Sequence, residues 1–487
     1  MIEAYARALA VEAGAAQPIA TVAHLHLAAR PLVFVPLTLA GEANAPLAAL
    51  VGTEIDAPRL LVVAQPRDRA LRIGFATELA SVLLSYLESF ALDVAEDGTP
   101  TAEDAPQLLV PNPGGVTFVR LLGRSTRFRQ PAGPYPVDAR VPVLGRWLSW
   151  FAERAEHPGS STLLAVTDAL ALHWATGQSA FEDANLAAQL GWIEPPPGQT
   201  GQAAAREAED PLRSPPAGPA TDPVFDNEVL TPAIDAYGSA APDSAARRRA
   251  LASLERSLAG QLEPTWRLIW RAVARLRALP PGASVAGRWS EDRRQYASFA
   301  AYLADGGLPQ ARRDGAVAAV RRLSQLERAR IGYDVARSFD DPLVMAEYRV
   351  TGEAFRGTVV GVVPDRRIPN EKGNLVTRPL VTVRSRDPVH LAPGTTVGTP
   401  DRPGQGGTVH TVDADLVTVE LDKGFGRGKV PAPGVLPAVG EVLTYSSVLA
   451  SGIRGPALPG ADETPWTHGG PPRPYVPNDE DAKEAWE

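Results

Sequence analysis

The first part of the chain mixes two hydrophobic periods, which together predict an α/β domain over residues 1–140. Three segments are predicted strands, because apolar residues alternate or form short runs in residues 19–28, 32–40 and 59–66. A helix is predicted over residues 71–90, where apolar side chains recur at helical spacing at Leu71, Phe75, Leu79, Val82 and Leu83. Two further apolar runs predict strands at residues 107–111 and 116–123. Strands interspersed with a helix are typical of an α/β domain.

The middle of the chain changes to helical periodicity. Residues 141–193 form a predicted helical extension of three helices, the second at residues 160–175. Residues 194–223 have too few apolar side chains for a core, so they are a predicted disordered linker. Four amphipathic stretches then predict a basic helical domain over residues 224–340, with helices at 244–261, 265–279, 292–305 and 313–339.

From residue 341 the hydrophobic period becomes two. Short alternating stretches separated by Gly, Pro and Asp predict a small β-barrel or sandwich over residues 341–455. Within it, residues 409–421 are a predicted hairpin with Asp413, Ala414 and Asp415 at the turn. Residues 456–487 are acidic and rich in proline, so they are a predicted disordered tail. The fold class that follows is a multidomain α+β protein, with an N-terminal α/β domain, a helical middle, a C-terminal barrel or sandwich, and a disordered linker and tail.

Composition narrows the function classes. The 487 residues include no cysteine, which excludes disulfides, zinc–thiolate sites, iron–sulfur clusters and thiol nucleophiles. The first residues lack a basic start followed by an apolar run, and no apolar stretch reaches the roughly 18 residues that a membrane span needs. We therefore expect a cytoplasmic protein that has no membrane partner.

Charge is unevenly distributed along the chain. The formal net charge is −8, whereas residues 245–340 carry a net charge of +9. A basic region of this size can bind nucleic acid, dock an acidic protein or this chain's own acidic tail, or be a solvated face. The candidate binding residues are basic side chains of this region and two from a glycine-rich loop, namely Arg247, Arg248, Arg267, Arg271, Arg275, Arg293, Arg294, Arg312, Arg313, Arg321, Arg322, Arg427 and Lys429.

Candidate catalytic and metal-binding residues are few. His24 and His26 would point to one face of a strand, as a metal site could use, but no third ligand lies near them in the sequence. The glycine-rich loop at residues 424–429 could approach a phosphate, yet Lys423 and Val430 stand where a Walker loop needs glycine and a hydroxyl residue. We therefore predict no catalytic residue, no cofactor and no metal site.

Two functional hypotheses follow. The barrel region carries G-x-V at residues 357–359 and P-x-V-G-E at residues 437–441, a pattern that is similar to small barrels accompanying nucleic-acid-handling motors. The first hypothesis is a non-catalytic accessory or scaffold protein that binds nucleic acid or a motor partner through the basic helical domain and the barrel. In this hypothesis the tail docks on a protein partner through Trp466, Tyr475 and Trp486. The alternative is an enzyme whose site is built from dispersed Asp, Glu and Arg residues of the N-terminal α/β domain.

Overall fold

The computed structural model describes residues 2–39, 45–210, 214, 220–312, 315–370, 372–426, 430–450 and 457. The chain divides into two compact units. Residues 3–19 and 23–326 belong to one, called here the α/β unit, and residues 20–22 and 327–450 belong to the other, called the barrel unit. The helices and sheets of the structure confirm the predicted mixed α+β architecture. The predicted tail lies outside the described residues except for Ala457.

A five-stranded sheet forms the centre of the α/β unit. In spatial order its strands are β4 (Arg59–Val62), β3 (Pro46–Gly52), β2 (Leu32–Thr38), β7 (Leu108–Val110) and β8 (Leu163–Ala165). β2, β7 and β8 are parallel, whereas β3 is antiparallel to both of its neighbours. Every residue of β2 is buried, because alternate side chains of the strand enter the two cores on either side of the sheet.

Four helices, called layer A, pack on one face of the sheet, and they are α2 (Arg69–Glu88), α3 (Pro113–Thr126), α4 (Arg140–Ala155) and α11 (Val285–Ala304). The Asp68 side chain caps α2 by accepting from the backbone N–H of Leu71 at 3.0 Å. We expected no apolar stretch of this length, but α2, alone among the described helices, is long and apolar enough to cross a membrane by length and composition. In the structure, Phe75, Leu79 and Leu83 of α2 are buried in the core between layer A and the sheet.

Layer B covers the opposite face of the sheet and consists of α5 (Val166–Ala171), α6 (Leu186–Ile193), α9 (Thr231–Ser239) and the long α10 (Ala245–Arg277). α10 contributes Trp266 to this core, and its Nε1 donates to the carbonyl of Ile55 at 2.9 Å. Leu254, Leu258 and Leu262 of α10 are likewise buried at spacings of four residues. One face of α10 therefore faces the sheet along most of its length.

Shorter elements complete the α/β unit. Two-stranded ribbons pair β1 (Gln17–Pro18) with β9 (Trp174–Ala175), and β5 (Leu92–Val94) with β6 (Pro100–Ala102). The remaining helical elements are α1 (Ile2–Ala13), a 3-10 turn (Glu182–Ala184), α7 (Gly201–Glu209), α8 (Pro223–Phe225) and a π-helical turn (Asp226–Leu230).

Several segments differ from the prediction in type. Residues 116–123, a predicted strand, belong to α3, because Asn112 caps the helix by accepting from the Gly115 N–H and Pro113 occupies its first turn. Residues 160–175, a predicted helix, are helical only in α5. The segment begins with β8, whose three residues are buried and pair with β7, and ends in β9. β3 was not predicted at all, although it is an almost wholly buried strand.

The predicted strand at residues 19–28 is also wrong. The segment has no strand ladder. The N–H groups of His24, His26 and Ala28 donate to His173 Nε2, Ser161 Oγ and Gln107 Oε1, respectively, while those of Ile19 and Ala23 donate to the single carbonyls of His173 and Pro280. The segment makes one isolated bridge, between Ala23 and Pro281. Long-range side-chain acceptors of this kind leave no periodic signal in the segment itself.

Part of the predicted disordered linker at residues 194–223 is ordered. α7 lies within it, capped by Thr200, and its Gly201, Ala204 and Ala205 are buried. A Cβ atom at Gly201 would lie 2.5 Å from the ring of Trp192. Small residues therefore let α7 pack closely on α6, which a count of large apolar residues overlooks.

The sheet and its two helical layers include elements from segments that we expected to be separate domains. β8 lies in the predicted helical extension (141–193), and α10 and α11 lie in the predicted basic helical domain (224–340). Each of these elements buries its apolar side chains in the two cores of the sheet, so residues 23–326 belong to one compact unit.

The barrel unit confirms the predicted β-barrel. Six strands close in the order β10 (Ala354–Val363), β13 (Leu380–Ser385), β16 (Leu416–Lys423), β15 (Gly406–Asp413), β14 (Thr396–Gly398) and β17 (Val442–Ser446). β11 (Arg367–Pro369) pairs with β12 (Leu375–Thr377), α12 (Ala316–Asp340) has residues in both units, and α13 (Pro342–Val350) leads into β10. The predicted hairpin is present as β15 and β16, and Ala414 at its turn has a φ of 48°.

Candidate functional site

The structure separates the predicted basic residues into two groups. Arg247, Arg248, Arg267, Arg271 and Arg275 lie on α10 in layer B, whereas Arg293 and Arg294 lie on α11 in layer A, across the sheet. The one basic surface expected from the sequence is therefore divided by the sheet. Of the other predicted residues, Arg321 is exposed on α12, and Arg313, Arg427 and Lys429 lie outside the described residues, as do Trp466, Tyr475 and Trp486.

Several of these arginines already have partners within the α/β unit. Arg271 and Arg275 both contact Glu194, at 3.1 Å and 3.5 Å, and the guanidinium carbon of Arg247 lies 4.2 Å from the centre of the Tyr237 ring. Arg248 donates to the carbonyl of Asp243 at 2.7 Å, Arg293 donates to the carbonyl of Glu103 at 2.5 Å, and Arg294 pairs with Glu291. Arg267 is exposed. These residues form local contacts and do not converge on a common site.

Arg312 and Arg322 instead meet arginines that we did not select from the sequence. They line a cavity of about 620 Å³ beside layer A, which we call the arginine cavity after its six arginines, Arg120, Arg124, Arg127, Arg154, Arg312 and Arg322. Glu153 and Glu156 are the acidic side chains of its described lining, so this part of the wall carries more positive than negative charge. The volume is within the range of about 300–1,000 Å³ that is usual for small-molecule sites.

The close contact of α3 with α4 positions the cavity wall. Gly123 of α3 and Gly145 of α4 lie at this contact, where an added Cβ atom would come within 2.8 Å of Ser149 N and 2.2 Å of Arg127 N, respectively. Arg120, Arg124 and Arg127 follow one another at spacings of four and three residues, which places them on one side of α3. That spacing is visible in the sequence, but it places the three arginines on one side only if the segment is a helix.

Glu156, the residue that follows α4, acts as an internal counterion for two of the arginines. Arg120 Nη2 lies 2.9 Å from Glu156 Oε1, and Arg322 of α12 pairs with Glu156 Oε2. All three side chains are between one third and about two fifths exposed. One carboxylate at the mouth of the cavity thus joins α3 to the first turns of α12.

Arg127 and Arg312 also contact neutral groups. Arg127 is buried, and its Nη1 and Nη2 atoms donate to Ser149 Oγ at 3.2 Å and to the carbonyl of Ala311 at 3.0 Å. The guanidinium carbon of Arg312 lies 5.4 Å from the centre of the Phe128 ring, a cation–π distance. Arg124 is exposed and makes no ion pair among the described residues. Its guanidinium therefore remains available to a ligand.

Arg154 connects the cavity to a buried polar cluster. Its Nη2 atom donates to Asp292 at 2.8 Å, and Asp292 also accepts from Ser160 Oγ at 2.8 Å and from the Ser161 N–H at 2.7 Å. Beside it, burial and then the charge of Arg154 lower the pKa of His157. His157 is therefore neutral at neutral pH, and the positive charge of the cavity comes from its arginines.

The histidines that we considered as metal ligands have structural contacts. The His24 ring is buried and stacks on the His173 ring, with 5.5 Å between the ring centres, while His26 stacks on Trp289 at 4.0 Å. Burial lowers the pKa of His26. Among the described residues, no group of three or more His, Asp or Glu side chains is placed to hold a metal ion.

The enzyme hypothesis directs attention to the carboxyl ends of the parallel strands. Thr38 ends β2 and Asn112 follows β7, and both side chains are buried. Asn112 Nδ2 donates to the carbonyl of Ala184 at 2.9 Å while its oxygen caps α3. These polar groups are used in packing and capping, and the arginine cavity lies elsewhere, along the outer parts of α3, α4 and α11.

The barrel unit has a smaller cavity of about 270 Å³, lined by residues that include Met345, Arg349, Arg356 and Asp401. Arg349 forms two hydrogen bonds to Asp387, at 2.7 Å and 2.9 Å, and Asp401 accepts from the Thr444 N–H at 2.6 Å. Arg349 is thus paired within the barrel unit, and Asp401 is used in a hydrogen bond to the backbone.

No protein-family model matches this chain, and comparison with curated proteins and with solved structures finds no similar protein.

Proposed function

We propose that this protein is a non-catalytic accessory protein of the cytoplasm that binds an anionic partner in the arginine cavity, and that nucleic acid supplies this anion. The observation that carries the proposal is the convergence of six arginines, from α3, α4, α12 and residue 312, on one cavity whose lining includes two glutamates. Guanidinium groups bind phosphate through charge-assisted and often bidentate hydrogen bonds, and they stay charged at all physiological pH values.

Keeping these arginines close together without a ligand is unfavourable, because like charges repel across a partly enclosed space. Part of this repulsion is offset internally, by Glu156 for two arginines and by Asp292 for a third. Among the residues that the structure describes, Arg124 has no such partner. An arrangement of this kind supports a role in anion binding.

The test uses full-length protein and fluorescein-labelled DNA with phosphorylated 5′ ends, both single-stranded and double-stranded, in anisotropy titrations from about 50 to about 200 mM salt. Binding should weaken as salt rises, and Arg124→Gln combined with Arg312→Gln should lower both the affinity and the salt slope. The matched control is Arg256→Gln, an exposed arginine of α10 outside the cavity. Equal losses in the control and in the cavity variant, or no salt-dependent binding at all, would refute the proposal.

The alternative of an enzyme with dispersed Asp, Glu and Arg residues has a separate readout in the same samples. Release of inorganic phosphate or shortening of the DNA during incubation, abolished by the cavity variant, would replace the binding proposal by the enzymatic one.

A further inference from the structure

We propose that the arginine cavity takes a phosphomonoester group, as found at the phosphorylated end of a nucleic-acid strand, and not the internal phosphodiesters of the strand. This inference rests on the proposed function and specifies its ligand. A phosphomonoester presents about −1.5 to −2 charges and three acceptor oxygens on one phosphorus atom, whereas each phosphodiester presents a single charge.

The arrangement of the arginines favours a compact group over an extended strand. Arg120 and Arg124 project from α3, Arg154 from α4 and Arg322 from α12, and all of them line one concave space. Proteins that follow a nucleic-acid backbone instead use a charged groove with aromatic side chains on which successive bases stack. The described lining has two aromatic rings, Trp150 and the half-buried imidazole of His157. Trp150 is buried and stacks on Phe299 within layer A. The described lining therefore has six guanidinium groups for a phosphate but only one partly exposed ring for stacking.

Glu156 shows where such a group would bind. Its two oxygens each accept from a different arginine, Oε1 from Arg120 and Oε2 from Arg322. A carboxylate has two oxygens and one negative charge. A phosphomonoester can accept from the same two arginines with two of its oxygens and leave a third for Arg124, so it can displace Glu156 with a gain in charge pairing.

Asp292 has a positioning role in this proposal. The side chain of Arg154 is 12% exposed and that of Asp292 is 1% exposed, and the pair fixes one guanidinium at the inner wall. Ser160 and Ser161 complete the shell of Asp292, so the carboxylate cannot turn toward the ligand. Arg154 is thus held without its counterion facing the cavity.

The experiment compares 5′-phosphorylated and 5′-hydroxyl forms of one single-stranded oligonucleotide, with pyrophosphate as a small competitor, on full-length protein. We expect the 5′-hydroxyl form to bind about tenfold or more weakly, because several charge-assisted hydrogen bonds are lost. Pyrophosphate should displace the phosphorylated oligonucleotide, and direct binding of pyrophosphate alone shows whether a free phosphate group is sufficient. Equal affinity for the two oligonucleotides would overturn this inference while leaving the proposed function intact, and failure of both oligonucleotides and pyrophosphate to bind would overturn both.

Two variants sharpen the test. Glu156→Gln removes the internal competitor, so it should raise the affinity for the phosphorylated form by about threefold to tenfold and should not change that for the 5′-hydroxyl form. Arg322→Lys keeps the charge but loses the planar guanidinium, which can donate two parallel hydrogen bonds to phosphate. It should therefore weaken binding of the phosphorylated oligonucleotide and leave binding of the 5′-hydroxyl form unchanged. Arg256→Gln is the matched control and should change neither affinity. A Glu156→Gln protein that melts like wild type but binds the phosphorylated form no better would count against a phosphate that displaces Glu156.

Discussion

Arg154 Nη2 lies 2.8 Å from Asp292 Oδ1, and this ion pair joins α4 to α11 within layer A. The carboxylate is 1% exposed, so water cannot replace a lost partner. The pair therefore couples the stability of layer A to the shape of the arginine cavity. Removal of the pair should lower both the free energy of unfolding and the affinity for the ligand.

We predict that Asp292→Asn destabilises the protein by about 3–5 kcal/mol, the usual cost of leaving one member of a buried ion pair unpaired. Urea unfolding followed by circular dichroism measures the loss. The neighbouring Glu291→Gln is the control, because Glu291 pairs with Arg294 on the surface and such pairs contribute about 0–1 kcal/mol. Similar losses of unfolding free energy in the two variants would show that the buried pair stabilises the protein no more than the surface pair does.

The contact of α3 with α4 makes a second prediction, at Gly145. Gly145→Ala would place a methyl group 2.2 Å from the backbone nitrogen of Arg127, so α3 and α4 must move apart. The expected cost is about 1–3 kcal/mol, as for other overpacked cores, together with weaker binding of phosphorylated DNA. Gly260→Ala on α10 is the control, since its Cβ would have open space, and it should stabilise by about 0.5–1 kcal/mol. A harmless Gly145→Ala would contradict the close contact of the two helices.

The packing of α10 on the sheet makes a third prediction. Leu258 is fully buried in the core of layer B, so Leu258→Ala should cost about 2–5 kcal/mol. Leu323 on α12 is 57% exposed, and Leu323→Ala should change stability by less than about 0.5 kcal/mol. In Leu258→Ala, tryptophan fluorescence and far-ultraviolet circular dichroism should show the same single unfolding transition, shifted to lower stability. Separate transitions for α10 and the sheet would support the division into domains expected from the sequence.

A fourth prediction concerns pH and the barrel unit. Burial opposes ionisation of Asp387, but hydrogen bonds from Arg349 and from the Arg356 N–H outweigh it, so the pKa of Asp387 is lowered. Since the folded state favours the charged form, this contribution is complete above the ordinary pKa of about 3.9 and is lost as pH falls through the lowered value. Asp387→Asn should therefore lower the melting temperature at about pH 7, and it should lower the melting temperature less at about pH 2.5.

Calorimetry at the two pH values measures the difference between the variant and wild type. Asp365→Asn is the control, because Asp365 is exposed and its side chain makes no hydrogen bond or ion pair among the described residues. A difference for Asp387→Asn that is unchanged or larger in acid would contradict the assigned direction of the pKa.

Elements with a clear period and local end signals were predictable from the sequence. The helix at residues 71–90 was found because its apolar residues recur at helical spacing, and the strand at 32–40 because apolar and β-branched residues follow one another in a short run. The alternating stretches of the C-terminal region predicted a barrel or sandwich, and the structure has a closed barrel. The failures have physical causes. Residues 116–123 carry apolar side chains at both spacings, and the cap at Asn112 favours a helix. Several N–H groups of residues 19–28 donate to distant side chains and not to a neighbouring strand.

By itself the sequence determined the apolar faces of the long helices, the alternating strands of the C-terminal region, the absence of thiol chemistry and the concentration of arginine in residues 245–340. Only the tertiary structure decided which of those arginines meet. The sheet separates α10 from α11, and the cavity instead combines Arg312 and Arg322 with Arg120, Arg124, Arg127 and Arg154. The reason is that hydrophobic periodicity tells which face of an element is buried but not against what, whereas a binding site is made by the polar faces that packing brings together.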